Sequence, residues 1–243
     1  MKKYTAEDLK GFEKDENGRL LCPAGDYTEI KSFPERCNFG ERSSFGAGCS
    51  FGKRSSFGER CNFGERSSFG AGCSFGKRSS FGAGCSFGAG SSFGEWCSFG
   101  AGCSFGEWCS FGAGCSFGAG CSFGEWCSFG AGCSFGECCG FGECCSFGAG
   151  CSFGAECRFE GGHIAAPGYP MLTFGGFGSA NRTTYAFNCK DGVVIRCGCF
   201  SGSLEEFREK VRERHGNTPF AIEYFAIADL IERRFSREGE VRR

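Results

Sequence analysis

The chain has 243 residues, with 44 Gly, 31 Phe and 22 Cys but only 5 Pro, and a formal net charge of −1. That balance excludes a chain acting as a polycation or polyanion as a whole, and no run approaches the roughly 20 apolar residues of a membrane-spanning helix. Gly- and Cys-rich composition often signals disorder or a disulfide scaffold. Here it comes from a strict internal repeat, which has to be read first.

Residues 1–32 read as a polar lead-in. Met1-Lys2-Lys3-Tyr4-Thr5-Ala6-Glu7-Asp8 lacks the apolar run of a signal peptide, so a cytoplasmic location with reduced thiols is expected. Thr5 is placed to cap a short helix over residues 6–12, its hydroxyl accepting from an early orphan amide. Asp15-Glu16-Asn17-Gly18 reads as a turn. Leu20-Leu21-Cys22-Pro23 and residues 27–30 read as short extended pieces that cover the first coil of the repeat.

Over residues 33–159 a phenylalanine falls on every sixth position, and Gly follows it at each step from Gly40 to Gly154. Side chains alternate along a strand, so Phe and the residue two before it share the inward face while the intervening Ser points out. That small inward position holds 16 Cys and five Ser (Ser43, Ser55, Ser67, Ser79, Ser91), so size is the constraint there. The Gly after Phe is expected to free the backbone at a corner where φ is positive.

Written as Phe-Gly-x-x-Cys/Ser-Ser, the unit resembles the hexapeptide repeat of left-handed parallel β-helices, with Phe in place of the usual aliphatic residue. The resemblance implies a left-handed parallel β-solenoid. Its coil holds two or three hexads. Cys and Ser alternate with a period of 12 from Cys37 to Ser91, and residues 35–58 recur unchanged at 59–82, which favours two. Trp108 and Trp126 lie 18 apart and would stack on one edge of a three-hexad coil, which Trp96 would not join. Three is preferred, because two opposed Phe columns leave little room for Cys at crystal-like packing density. About seven 18-residue coils then span on the order of 33 Å at the usual strand spacing.

The repeat ends at Arg158-Phe159-Glu160, and residues 161–171 read as a linker that includes Pro167 and Gly168. Residues 182–189 and 193–199 are β-rich runs around Lys190-Asp191-Gly192, a hairpin signal. Ser203-Leu204-Glu205-Glu206 is a capping box that opens a helix to about His215, stopped by Gly216. Thr218-Pro219 opens a second helix with Phe220, Tyr224, Ile227, Ile231 and Phe235 on one face. The expected fold class is therefore mainly β: a cap over 1–32, a solenoid over 33–160 and a small ββαα domain over 172–243. That domain resembles a C-terminal module of proteins from gut Firmicutes and their phages that carry similar Cys/Phe-Gly repeats. The residues that carry this are Phe177-Gly178-Ser179, Asn181-Arg182-Thr183-Thr184, Cys197-Gly198-Cys199-Phe200-Ser201-Gly202 and Leu204-Glu205-Glu206-Phe207. The resemblance implies no activity.

Chemistry on a regular rod must lie where the repeat varies. Residues 35–82 hold eight Lys/Arg, Arg54, Arg66 and Arg78 among them, against four Glu; residues 83–157 hold six Glu, including Glu95, Glu107 and Glu125, and no Lys or Arg. Trp96, Trp108 and Trp126 replace Gly at corners of the acidic half, and exposed Trp is a favoured interface anchor. Packing against the N-terminal segment or the C-terminal domain would explain them equally well. Cys138 and Cys144 take the same corner position and should be exposed, open to redox or cross-linking roles. Cys197-x-Cys199 with Cys189, and Cys138-Cys139 with Cys144-Cys145, lack the usual zinc spacing, so no metal or other cofactor is expected. The Ser rows suit an ice-binding surface poorly because the repeat has no Thr. The basic half can contact phosphates, but its Glu residues weaken the field, and nucleic-acid binding is not the expectation.

The function these features suggest is a non-enzymatic scaffold that binds another protein, in the form of a phage-encoded factor acting on a host component, or that self-assembles through the second C-terminal helix. Two alternatives stay open. A hexapeptide-type acyltransferase would need a general base, and the only histidines, His163 and His215, lie outside the repeat. A charged rod could instead mimic nucleic acid through its Glu-bearing half.

Overall fold

A computed structural model describes residues 1–159, 162–166, 170–178, 182–198 and 200–240. Glu160, Gly161, Pro167, Gly168, Ser179, Asn181 and Cys199, which enter the expectations from sequence, lie outside the described residues. Two compact units make up the chain, Met1–Gly162 and His163–Arg243.

The first unit is a β-solenoid of three parallel sheets with eight, eight and seven strands. Partners are 18 residues apart, as in Ser44↔Asn62, Ser74↔Ser92 and Ser116↔Ser134. A coil is thus three hexads, and the 12-residue alternative fails. The 12-residue Cys/Ser alternation survives in another form. Because 18 is one and a half times 12, it becomes alternation along a column, as in Cys37, Ser55, Cys73 and Ser91. Each Ser hydroxyl there donates to a glycine carbonyl of its own corner, as Ser55 Oγ does to Gly52 at 3.1 Å. Ser55 and Ser67 also accept from the amides of Cys37 and Cys49, one coil earlier, at 3.3 Å. No buried side-chain nitrogen or oxygen among the described residues lacks a partner.

Three aromatic columns fill the prism. Phe33 lies flat on Phe51 (4.6 Å, 1°), and every later ring stacks on the ring 18 before it, out to Phe159 on Phe141 (5.6 Å, 18°). Between columns the rings meet edge to face, as Phe81 and Phe87 do at 5.1 Å and 88°. Edge-to-face pairs are worth about 0.5–1.5 kcal/mol beyond area burial, and each ring has several such neighbours.

The N-terminal segment is part of this stack. Tyr27 takes a Phe position and stacks on Phe45 (5.4 Å, 12°), and Tyr4 lies on Tyr27 (5.0 Å, 18°). Leu20–Cys22 and Asp26–Tyr27 pair in parallel with the repeat, so they form its first coil instead of lying across it. Thr5 caps the helix Ala6–Lys10 in a reciprocal capping box with Asp8.

The glycines divide into two classes, and positive φ does not fall where the sequence suggests. The Gly after Phe has ordinary φ and is needed for close approach: a Cβ on Gly100 would sit 2.6 Å from the Ala83 nitrogen. Positive φ falls two residues later, at the second corner position. Gly occupies it in many coils, but so do Arg36, Arg54, Trp96, Trp108, Trp126, Cys138 and Cys144, all with φ of 57–61°. This conformation turns the corner amide toward the next coil, where Arg36 N–H donates to Lys53 and Trp108 N–H to Glu125. Strand amides donate the other way, Ser74 to Ser55 and Gly76 to Phe57. The backbone is thereby bonded in both directions along the rod.

The second unit is a four-stranded antiparallel sheet, in order Met171–Phe177, Arg182–Cys189, Gly192–Cys197 and Phe200–Ser203, with two helices. The hairpin and both helices match the sequence reading; the first and last strands are additional. Ser203 and Glu206 form the capping box of Leu204–His215, with Gly216 at φ 53° after it. In the helix Pro219–Glu240, Tyr224, Ile227, Ile231 and Phe235 enter the core with Ala221 and Ala228. Phe220 does not: it shares that face but lies in the helix's first turn, where it is exposed.

The two glycine classes should respond differently to substitution. Gly100→Ala forces backbone apart and is expected to cost more than ~3 kcal/mol, as overpacking does at its upper end. Gly102→Arg, at an open positive-φ corner, should cost about 1–2 kcal/mol. Urea denaturation of both variants checks this; equal losses would contradict it.

Candidate functional site

Corners 18 residues apart line up on three edges, traced by the corner hydrogen bonds. One edge runs Glu35-Arg36, Lys53-Arg54, Ala71-Gly72, Ala89-Gly90, Glu107-Trp108, Glu125-Trp126 and Glu143-Cys144. A second runs Glu41-Arg42, Glu59-Arg60, Lys77-Arg78 and Glu95-Trp96, then three Ala-Gly corners. The third carries only Glu65-Arg66, Glu137-Cys138 and Ala155-Glu156 among bare corners. The candidate residues therefore separate. Arg54, Glu107, Trp108, Glu125 and Trp126 share the first edge, Arg78, Glu95 and Trp96 the second, and Arg66 stands on the third.

On the first edge the indoles of Trp108 and Trp126 are stacked (5.1 Å, 4°), as their 18-residue spacing predicts. They are 60% and 48% exposed, and Trp96 is 61% exposed. Where a bulky corner precedes a bare one, its side chain leans onto that corner one coil later, as Trp96, Arg54 and Arg66 do. A Cβ on Gly114 would meet the Trp96 ring at 2.5 Å, and on Gly72 it would lie 3.8 Å from Arg54 Cγ. Bare Ala-Gly corners thus leave space for the residue before them. Lys77 and Glu95 form an exposed ion pair on the second edge at 3.1 Å, worth little in solvent.

The thiols separate by depth. All the small-position cysteines are buried, whereas Cys138 is exposed and Cys144 half-buried, as their corner positions require. Burial pushes the Cys61 thiol up to about 11 and that of Cys189 to about 12, and it raises Cys73 as well. These are inert structural thiols. No cluster of three or more potential metal ligands occurs among the described residues. Nor is any helix among them long and apolar enough to cross a membrane.

The histidines lie in the second unit. His163 Nδ1 is 2.7 Å from Asp191 Oδ2, a bond that lowers the Asp191 carboxyl below its ordinary range. His215 packs on Tyr224 (5.4 Å) at the end of its helix. The His163–Asp191 pair is not legible in sequence, because a linker-like stretch and a hairpin turn supply its members. Residue spacing gives no signal for it.

No protein-family model matches the chain, and neither does any curated protein or solved structure.

The buried thiols make stability sensitive to alkali. A thiol raised by burial favours the folded state fully below the unfolded thiol range near ~8.5, and that contribution is lost as pH rises toward about 11 for Cys61. Urea midpoints should be flat from about pH 6 to 8 and fall above about pH 9. Cys61→Ser, with Ser already above and below it in the column, should make that fall shallower.

Proposed function

We propose that this chain is a non-enzymatic scaffold that binds a protein partner along the first edge of its solenoid, with Trp108 and Trp126 as the anchors. The observation that carries the reading is the stacked, exposed indole pair, beside Glu107 and Glu125 on a rigid frame. Left-handed backbone at a bulky residue is costly, about 1–2 kcal/mol each, and Gly fills the same position elsewhere without that cost. Trp at two stacked corners therefore adds nothing to the frame and supplies a flat, amphipathic contact surface of the kind enriched at interface hot spots. A phage origin, with a host protein as the target, is the finer part of this reading and draws on the resemblance of the C-terminal module.

Immobilised wild-type chain should retain partner protein from bacterial lysate, and Trp108→Ser/Trp126→Ser should retain at least about tenfold less, the usual scale for losing two hot-spot anchors. Circular dichroism should show both folded. Equal retention by the two would sink the reading. The acyltransferase alternative draws on the His163–Asp191 pair. Acetyl-CoA binding by calorimetry, together with turnover lost in His163→Ala, would favour it over the scaffold.

A further inference from the structure

We propose that the first edge is self-complementary and pairs two copies of this chain, antiparallel, about a two-fold axis. The inference rests on the reading of that edge as a contact surface, and it adds a second copy of this chain as an occupant.

The order of corners carries it. From the N-terminal end the edge presents two Arg-bearing corners, two bare corners and two Glu-Trp corners, on coils spaced at about 4.8 Å. A two-fold axis perpendicular to the rod, midway between the bare corners Ala71-Gly72 and Ala89-Gly90, reverses the coil order. It leaves the chain direction across the edge unchanged, so the first residue of each corner pair faces the first residue of the other copy's pair, and the second faces the second. Lys53 then meets Glu107 of the second copy, Arg54 meets its Trp108 and Arg36 its Trp126, while Glu35 lies opposite its Glu125 with Arg36 beside both carboxylates. Bare corners face bare corners and let the edges approach. Each contact occurs twice.

Among the described residues, Arg36, Lys53, Arg54, Glu107 and Glu125 make no ion pair, whereas on the second edge Lys77 and Glu95, one coil apart, pair with each other. Two bare coils hold the opposite charges of Lys53 and Glu107 too far apart to meet within one chain, so they can pair with each other only between two copies. Arg54, which leans toward the bare corner Ala71-Gly72, reaches the Trp108 face that Trp126 leaves open, a cation–π contact. Slipping the pairing by one coil leaves either Glu107-Trp108 or Lys53-Arg54 facing a bare corner, depending on its direction. The strip is one edge wide and about 24 Å long at the coil spacing, at the low end of specific interfaces, which implies a weak dimer sensitive to salt.

Sedimentation equilibrium of the full chain tests this. Wild type should dimerise at about 50 mM salt and weaken at least severalfold at about 500 mM, where the screening length is much shorter. Lys53→Glu alone and Glu107→Lys alone should each raise the dissociation constant at least tenfold, since each places like charges opposite one another twice. An equimolar mixture of the two variants should restore a heterodimer, because both contacts between positions 53 and 107 then join opposite charges. A strictly monomeric wild type, variants that dimerise as wild type does, or a mixture that stays monomeric would each overturn the proposal. Salt-independent dimers unaffected by either substitution would point instead to the exposed Ile222 and Leu230 on the last helix. Monomeric chain that still retains another protein through Trp108 and Trp126 would overturn self-pairing while leaving the scaffold reading standing.

Discussion

Every feature of the solenoid depends on one constraint: an 18-residue coil must close so that each phenyl ring lands flat on the ring one coil before it. Stacked strands are about 4.8 Å apart, and ring centroids in the middle of the rod repeat at 4.8–4.9 Å, so backbone and core share one spacing. That match is possible only if the backbone after each Phe comes close to the preceding coil. The Gly after Phe provides this; a side chain there would run into the main chain 17 residues earlier. Phe-Gly is thus one device with two parts, a ring that sets the spacing and an absent side chain that permits it.

This constraint decides where variation is tolerated. Phe, Gly and the small Cys or Ser are buried or sterically closed, and the outward Ser lies within the strand. The two corner residues remain. Their backbone is fixed by hydrogen bonds running forward along the rod, and the second of them must sit at positive φ whatever its side chain. Gly suits that geometry, so each Arg, Trp or Cys found there is held at some cost in backbone energy. Chemistry written at the corners is displayed at a regular pitch on a frame that does not rearrange to accommodate it.

Much of this is legible in the sequence because a period of six matches side-chain alternation and a three-sided coil. The inward Phe and Cys, the stacked Trp108 and Trp126, the exposed Cys138 and both C-terminal helices follow from spacing and capping alone. What escapes has physical reasons. Positive φ is expected at the Gly after Phe because glycine's freedom and its lack of a side chain look identical in sequence; only the approach of the neighbouring coil separates them. Tyr27 and Tyr4 join the aromatic column without the repeat's glycine, so no motif marks them. Strand Met171–Phe177 contains Gly175-Gly176 and strand Phe200–Ser203 contains Gly202, which weakens the β signal of both. The candidate edge lies in between: its members are identifiable singly, but their grouping requires the coil number.

That grouping turns on simple arithmetic between two periods. Twelve- and 24-residue repeats are not multiples of 18, so a recurring corner pair moves to a different edge: Glu35-Arg36 stands on the first edge and its recurrence, Glu59-Arg60, on the second. Trp96 and Trp108, 12 apart, separate for the same reason. Trp126 escapes this because one further Ala-Gly hexad, residues 119–124, intervenes and lengthens the interval to 18. Six residues without any distinctive side chain thereby place two indoles face to face and set three glutamates in line beside them. The composition of a corner is written within a hexad, but the surface it belongs to is set by the number of hexads between it and its like.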